Sequence, residues 1–218
     1  DPLMPAILTC CVDLLKISTY ITSGEDGVRA LADQVESKVI ELIFGDAAGL
    51  PKQENGTVDD ALASSLLKSI FLRDQNKAFK SIITPCLEGS AEHKLIVCKA
   101  ILALVAERNP GSNAPLVPWY GKLLAPLLSL FTATVQQLNQ IVEKDDKKKK
   151  QQQPTRNYNF EIVDTILHIF SVEPAFFLTH REDETIEERF RMLSETFIET
   201  RNPAVQNQCM RLSRKLYL

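Results

Sequence analysis

Apolar residues recur along the whole chain at the three- and four-residue spacing of an amphipathic helix, as Ile7, Cys11 and Leu14 do near its start. This spacing and the turn residues between its runs predict an all-α fold of eight to ten helices in antiparallel pairs, without a sheet. The predicted helices cover 5–22, 26–44 and 75–88, Ser90 to about Arg108, about Pro118 to Lys144, and 159–171, with another opened by Thr57 and a short segment over 174–178.

Two prolines fall inside these predicted helices. Pro85 lacks an N–H and should kink the helix over 75–88 or end it early, and Pro126 should bend the long helix near its start. The helix from Ser90 has almost no polar face and is expected to be the most buried. The residues expected in the core are Leu95, Ile101, Leu102, Leu128, Phe131, Phe190, Leu193, Cys209 and Leu212.

The end of the chain carries the clearest pattern. Ile186, Phe190, Leu193 and Phe197 are spaced i, +4, +7 and +11, and Val205, Cys209, Leu212 and Leu216 repeat that spacing. The junction between the two rows is Arg201-Asn202-Pro203, where Asn suits a helix N-cap and Pro the first helical position. So short a connection predicts two adjacent antiparallel helices.

This helical pair resembles a HEAT repeat over about 184–218. In that family, Asn/Asp-Pro-x-Val opens the second helix, and Asn202-Pro203-Ala204-Val205 stands in its place. Gln206 occupies the position where the family usually has arginine, and the rest of the chain lacks a second clean copy of the motif. The resemblance implies a HEAT- or armadillo-like α-solenoid of irregular repeats, whose stacked pairs present an extended surface to other macromolecules.

Length and composition agree with a folded helical domain. The 218 residues are 44% hydrophobic and 24% charged, and they include only 8 glycines, which is few for a turn-rich sandwich or barrel. We interpret 1–218 as a single α-helical repeat domain, and its termini as the cut edges of a longer protein. Within it, 145–157 is a polar, low-complexity stretch that we expect to be a flexible loop.

Net charge and cysteine usage indicate the cellular compartment in which the chain works. A net charge of −3 gives no general attraction to nucleic acid or anionic membrane, and no apolar run is long enough to span a bilayer. Five cysteines without a CxxC pair argue against a disulfide framework or zinc ribbon and favour the cytoplasm or nucleus. The glycosylation triplet Asn55-Gly56-Thr57 is a weak signal in the other direction.

The sequence offers little catalytic chemistry. It contains none of the common phosphate-loop, zinc-protease or nucleophile-elbow motifs, and Cys98 with His93 is poorly spaced for a catalytic pair on one helix. The carboxylates between Glu182 and Glu188 lie where a helix begins, a position that suits the helix dipole better than a metal. We expect no enzyme activity, no cofactor and no metal site.

Two groups of residues are candidates for binding. The run Lys147, Lys148, Lys149 and Lys150 fits a nuclear-localisation signal or a weak phosphate contact, although Asp145 and Asp146 halve its charge. The aromatic pairs are either partner-binding residues on the surface or packing between helices. These pairs are Trp119 with Tyr120 and Phe176 with Phe177.

The function predicted from these features is a non-catalytic protein-binding scaffold or adaptor segment. Its partners would be other proteins, including the remainder of its own chain, with no membrane and at most weak electrostatic contact with nucleic acid. One alternative is a helical regulatory domain acting on a small GTPase, for which Arg181 and Arg201 are the only suitable loop arginines. Another is a scaffold associated with nuclear transport or chromatin.

Overall fold

A computed structural model describes residues 4–18, 26–44, 60–106, 116–145, 157–182, 184–200 and 202–217. Every regular element in these ranges is helical, which confirms the all-α prediction for them. The α-helices are α1 (Met4–Ser18), α2 (Asp26–Phe44), α3 (Asp60–Arg73), α4 (Gln75–Ala78), α5 (Thr84–Glu88), α6 (Ala91–Ala106), α7 (Tyr120–Asp145), α8 (Tyr158–Val172), α9 (Pro174–Phe177), α10 (Ile186–Glu199) and α11 (Pro203–Leu216).

The chain, interpreted from its sequence as one domain, divides into two compact units, Asp1–Ala103 and Leu104–Leu218. In unit 1, α1 packs against α2 and α3. In unit 2, α8 packs against both α7 and α11, and α10 packs against α11. The division falls within α6, whose residues from Leu95 to Cys98 are all buried, as its nearly continuous apolar sequence predicts.

Pro85 neither ends its helix early nor leaves it regular. Between α4 and α5, a π-helical turn, Phe79–Ile83, widens the helix by one residue, and the amide of Thr84 bonds the carbonyl of Phe79. Pro85 then lies in the first turn of α5, where its missing N–H leaves no broken bond. The structure thus has a π-bulge before Pro85, where the sequence predicted a kink or an early end.

Side chains cap the helix at two of the predicted helix starts. The side chain of Ser90 accepts a hydrogen bond from the amide of His93 at 3.2 Å, at the start of α6. The carboxamide oxygen of Asn202 accepts bonds from the amides of Ala204 at 3.0 Å and Val205 at 3.4 Å, and Pro203 is the first residue of α11. The α10–α11 pair is thus an αα-hairpin, as predicted from Asn202-Pro203.

Two residues of the predicted core are not buried. Leu102 and Phe190 are half-buried, whereas Leu95, Ile101, Leu128, Phe131, Leu193, Cys209 and Leu212 are buried as expected. For Phe190 the reason is the orientation of α10. Its buried row is Arg189, Leu193, Thr196 and Thr200. Of the predicted row, Leu193 is therefore buried, whereas Ile186, Phe190 and Phe197 are turned toward the surface.

Several predictions lie outside the described residues. They concern Lys147–Lys150, all but the ends of the 145–157 loop, the Asn55 triplet, the Thr57 cap and Arg201.

Candidate functional site

A groove runs along one side of unit 2, between α7 and the segment that leads into α10. Its cavity volume is about 690 Å³. One wall comes from α7, with Ala125, Leu128, Ser129, Thr132, Ala133 and Gln136. The other comes from the connection after α9 and from α10, with Arg181, Glu184, Glu188, Arg191, Met192 and Glu195. We call this the α7–α10 groove.

The α7 wall is made largely of small side chains. Ala125, Ser129 and Ala133 are spaced i, +4 and +8, which places them in one row along the helix. The lining from Ala125 to Gln136 extends for roughly 17 Å, at about 1.5 Å per helical residue. Because nothing larger than Leu, Thr or Gln projects from this wall, a partner backbone can approach the helix closely.

The α10 wall carries charges on both sides of an apolar centre. Arg191 and Glu195 form an exposed ion pair one turn apart, with the guanidinium Nε 3.9 Å from a carboxylate oxygen. Met192 lies between them in sequence. The hydroxyl of Thr132 on α7 donates to the carbonyl of Leu128 at 3.0 Å, and the Met192 sulfur contacts the same hydroxyl at 3.5 Å. This contact joins the two walls.

Arg189 fixes the connection that contributes Arg181 and Glu184 to the groove. Its side chain is fully buried. Its Nη1 donates to the carbonyls of Phe177 at 2.6 Å and Thr179 at 2.8 Å, and its Nε donates to the carboxylate of Glu184 at 3.0 Å. A single guanidinium therefore ties the end of α9 and the carboxylate of Glu184 to the first turn of α10, because its planar set of donors can serve several acceptors at once.

A capping box adds a second constraint on the same wall. The hydroxyl of Thr185 accepts from the amide of Glu188 at 3.2 Å, and the carboxylate of Glu188 accepts from the amide of Thr185 at 2.7 Å. The backbone hydrogen bond from Thr185 holds the pKa of Glu188 below its usual value, with further help from the Thr185 hydroxyl. Glu188 is thus ionised and fixed in place at neutral pH.

The charges lining the groove nearly balance, with two arginines and three glutamates. Among the residues that the structure describes, no group of three or more His, Cys, Asp or Glu is arranged to hold a metal ion. Glu184 and Glu188, which the sequence placed at a helix start, instead bond Arg189 and the Thr185 amide. The groove therefore offers paired charges and apolar contact area, without a concentrated charge of either sign.

The cysteines divide into two groups. Cys86, Cys98 and Cys209 are buried, and burial raises the pKa of Cys86 and of Cys98 to about 12 and that of Cys209 to about 11. These thiols stay protonated at neutral pH and pack as small apolar groups. Cys10 is exposed and Cys11 is half-buried.

The candidate aromatic residues are not on the surface. Trp119, Tyr120, Phe176 and Phe177 are all buried in unit 2, so the exposed alternative is wrong for these four. Tyr120 stacks on Phe176 with ring centroids 4.4 Å apart, and Phe177 packs edge-on against Phe170 at 5.3 Å. Lys122 covers the Trp119 ring, its ammonium 4.7 Å from the centroid. The short helix α9 buries its aromatic pair, and these residues support the site without lining it.

Two features that hold the α10 wall in place were not predicted from the sequence. They are the capping box of Thr185 with Glu188 and the buried side chain of Arg189. Thr185-x-x-Glu188 is a complete capping-box pattern and was available as a signal. Arg189 had no such signal, because an arginine with Glu187, Glu188 and Arg191 within two residues of it ordinarily faces water. Its partners are backbone carbonyls, and sequence does not show where those point.

Comparison of the chain with protein-family models, curated proteins and solved structures finds no match. Within the described part of the chain, no helix combines the length and apolar character needed to cross a membrane.

Proposed function

We propose that this chain is a non-catalytic, protein-binding segment of a HEAT- or armadillo-like α-solenoid, and that the α7–α10 groove binds a segment of a partner protein. The observation that carries the proposal is the elongated groove between two helical walls. A length of roughly 17 Å matches about five extended residues or three helical turns, since an extended residue spans about 3.3 Å and a helical turn 5.4 Å.

The lining chemistry supports a polypeptide occupant. Specific protein interfaces combine apolar contact at the centre with polar groups at the rim. Here Met192, Ala125 and Ala133 supply apolar surface. Charges of both signs come from Arg181, Arg191 and Glu195. A small-molecule site of this volume instead concentrates a few convergent polar groups in a deep apolar cavity. The volume alone fits either occupant, and the arrangement favours the polypeptide.

The proposed setting is the cytoplasm or nucleus, with other proteins and the remainder of the same chain as partners. All five cysteines are free thiols, which supports a reducing compartment. The alternative of a GTPase-regulating domain has less support. Arg181 lies at the groove but is half-buried and already has a partner within the protein, whereas a catalytic arginine must reach outward.

The test selects binders and asks where they bind. A library of displayed random peptides is selected on the full chain and counter-selected on a Ser129→Trp variant, in which the indole fills the groove. Ser129 is exposed, so the substitution should not disturb packing. The dissociation constant of each selected peptide is then measured by calorimetry for both proteins.

The matched control is Gln137→Trp, which adds the same indole at an exposed position of the same helix outside the groove. We expect Ser129→Trp to weaken binding at least about tenfold, or ~1.4 kcal/mol, and Gln137→Trp to leave it unchanged. Peptides that bind the two variants equally, or a selection that yields none, would refute the groove as the binding site. Chemical conversion of the peptide during the measurement would refute the non-catalytic part.

A further inference from the structure

Helix α2 of unit 1 does not turn its most apolar face toward the rest of the protein. The apolar row along this helix consists of Val28, Leu31, Val35 and Val39. Only Val39 of this row is buried, and Leu31 is 50% exposed, whereas Glu36 is fully buried. Since successive residues of a helix point about 100° apart, α2 is rotated by roughly 60° from the orientation that its apolar residues favour.

Two cations hold Glu36 in the interior. Arg73, the last residue of α3, donates to the carboxylates of Glu36 and Asp33 through its two terminal nitrogens. Lys77 of α4 pairs with the other carboxylate oxygen of Glu36. A fully buried carboxylate is costly unless cations and hydrogen bonds replace its water, so the burial of Glu36 depends on Arg73 and Lys77. We call Asp33, Glu36, Arg73 and Lys77 the Glu36 cluster.

Leu31 and Glu36 lie on opposite sides of Val39 around the axis of α2. Leu31 is roughly 80° to one side of Val39, and Glu36 is roughly 60° to the other. A rotation of the helix by roughly 60° would keep Val39 inside, bring Leu31 against the protein and move Glu36 toward water. The helix therefore has two orientations that differ in what they bury. One buries a balanced group of charges, and the other buries a leucine.

We propose that α2 is a two-position helix whose orientation is set by the Glu36 cluster. With Arg73 and Lys77 in place, the helix buries Glu36. Without these cations, it rotates to bury Leu31 and releases Glu36 to water. A buried ion pair contributes little net stability, because the loss of hydration offsets the attraction between the charges. The cluster therefore acts mainly by selecting one of two packing arrangements, and a change in its charge shifts the balance between them.

A cluster that only stabilises unit 1 is the competing explanation. In that case, removal of the cations leaves α2 in its present orientation and weakens the packing around Glu36. In a two-position helix, removal of the cations makes the side chain of Leu31 less accessible to water. The two explanations are distinguishable at Leu31, since loosened packing does not cover an exposed side chain.

The test places a probe at the residue that changes sides. Leu31→Met is close to volume-conserving, and its ¹³C-methyl signal joins those of only three native methionines. A soluble nitroxide relaxes each methyl according to its accessibility. In the full chain, Arg73→Gln/Lys77→Gln should lower the relaxation of the probe methyl at least about threefold, because the methyl moves from a half-exposed position to the interior.

Two sets of variants serve as controls. Lys38→Gln/Lys80→Gln removes two exposed cations of unit 1, one of them on α2, and should leave the relaxation of the probe unchanged. Arg73→Gln and Lys77→Gln taken singly each leave Glu36 one cation, so each should lower the relaxation less than the double variant does.

Four outcomes would overturn the proposal. They are unchanged or increased relaxation of the probe in the double variant, loss of amide protection in α2 and α3 of that variant, an equal decrease in the lysine control, and a larger decrease in a single variant than in the double. Loss of amide protection would mean that unit 1 unfolds without the cations and has no second orientation. None of these outcomes involves Ser129 or the α7–α10 groove, so this proposal and the proposed function fail separately.

Discussion

Among the residues that the structure describes, each unit buries one charged side chain, and the two differ in the groups that hold them. In unit 1, Glu36 of α2 is fully buried and forms ion pairs with Arg73 of α3 and Lys77 of α4. Its partners are side chains that keep some access to water, 11% for Arg73 and 42% for Lys77. In unit 2, Arg189 is fully buried, and two of its three acceptors are backbone carbonyls. A side-chain network can rearrange when one member is lost, whereas buried carbonyls cannot leave for water.

Neither of the two helices that carry these charges buries its most apolar face. In α2 the buried residues include Ala32, Glu36 and Val39, while Leu31 is 50% exposed. In α10 the buried row begins at Arg189, and Phe190 next to it is half-buried. Each helix therefore buries a face one residue away from its most apolar face. The two buried charges therefore organise different structures. Glu36 joins three helices of unit 1 through side chains, whereas Arg189 orders one connection beside the groove in unit 2.

The largest effect should follow from Arg189→Met, which keeps an unbranched apolar stem but is shorter and removes the donors. The carbonyls of Phe177 and Thr179 lose a buried partner, so we expect about 3–5 kcal/mol of destabilisation. Denaturant titration followed by the fluorescence of Trp119, the only tryptophan and a residue of unit 2, measures it. Arg191→Met, at a position 68% exposed, is the matched control and should change stability by less than about 0.5 kcal/mol. An equal loss in both variants would mean that burial of Arg189 has no energetic weight.

A smaller loss is expected from Glu36→Gln. The amide keeps the shape and one acceptor, and Arg73 retains its ion pair with Asp33, so about 1.5–3 kcal/mol of charge-assisted bonding is lost. Hydrogen exchange of the α2 and α3 amides reports this change in unit 1. Glu41→Gln, at an exposed residue paired only with Lys38 three positions away, should leave exchange unaltered. A loss larger than that of Arg189→Met would reverse the comparison between the units.

The smallest effects concern the exposed carboxylates beside each network. The hydrogen bond from Arg73 lowers the pKa of Asp33, and the Thr185 amide lowers the pKa of Glu188. Because each folded-state pKa is depressed, each group stabilises the fold above its unfolded-state pKa, and this contribution is lost as pH falls through the folded value. Carboxyl ¹³C titration should show the Asp33 pKa rising in Arg73→Gln and the Glu188 pKa rising in Thr185→Pro, because proline lacks the amide that donates to Glu188. If neither moves, the hydrogen bonds named here are not the cause.

Local chemistry was predictable from sequence, and tertiary polar contacts were not. Ser90 and Asn202 cap their helices as expected, because a cap and its amide lie within three residues of each other. The face of α10 was predicted incorrectly because the predicted and observed rows have the same i, +4, +7, +11 spacing and share Leu193. Hydrophobicity favours the predicted row, which is Ile186, Phe190, Leu193 and Phe197, over the observed row of Arg189, Leu193, Thr196 and Thr200. What selects the second is a set of carbonyls 10 and 12 residues earlier in the chain. The groove depends on that choice, so it could not be predicted either.

The central claim, that the α7–α10 groove is a protein-binding surface, is tested most directly by methionine-methyl NMR. The chain has three methionines: Met192 lines the groove, Met210 is exposed on α11 and Met4 begins α1. A peptide selected on the full chain against Ser129→Trp is titrated into ¹³C-methyl-methionine protein. The claim predicts a saturable shift of Met192 with Met210 and Met4 unchanged. A shift of Met210 or Met4 while Met192 stays in place would contradict it.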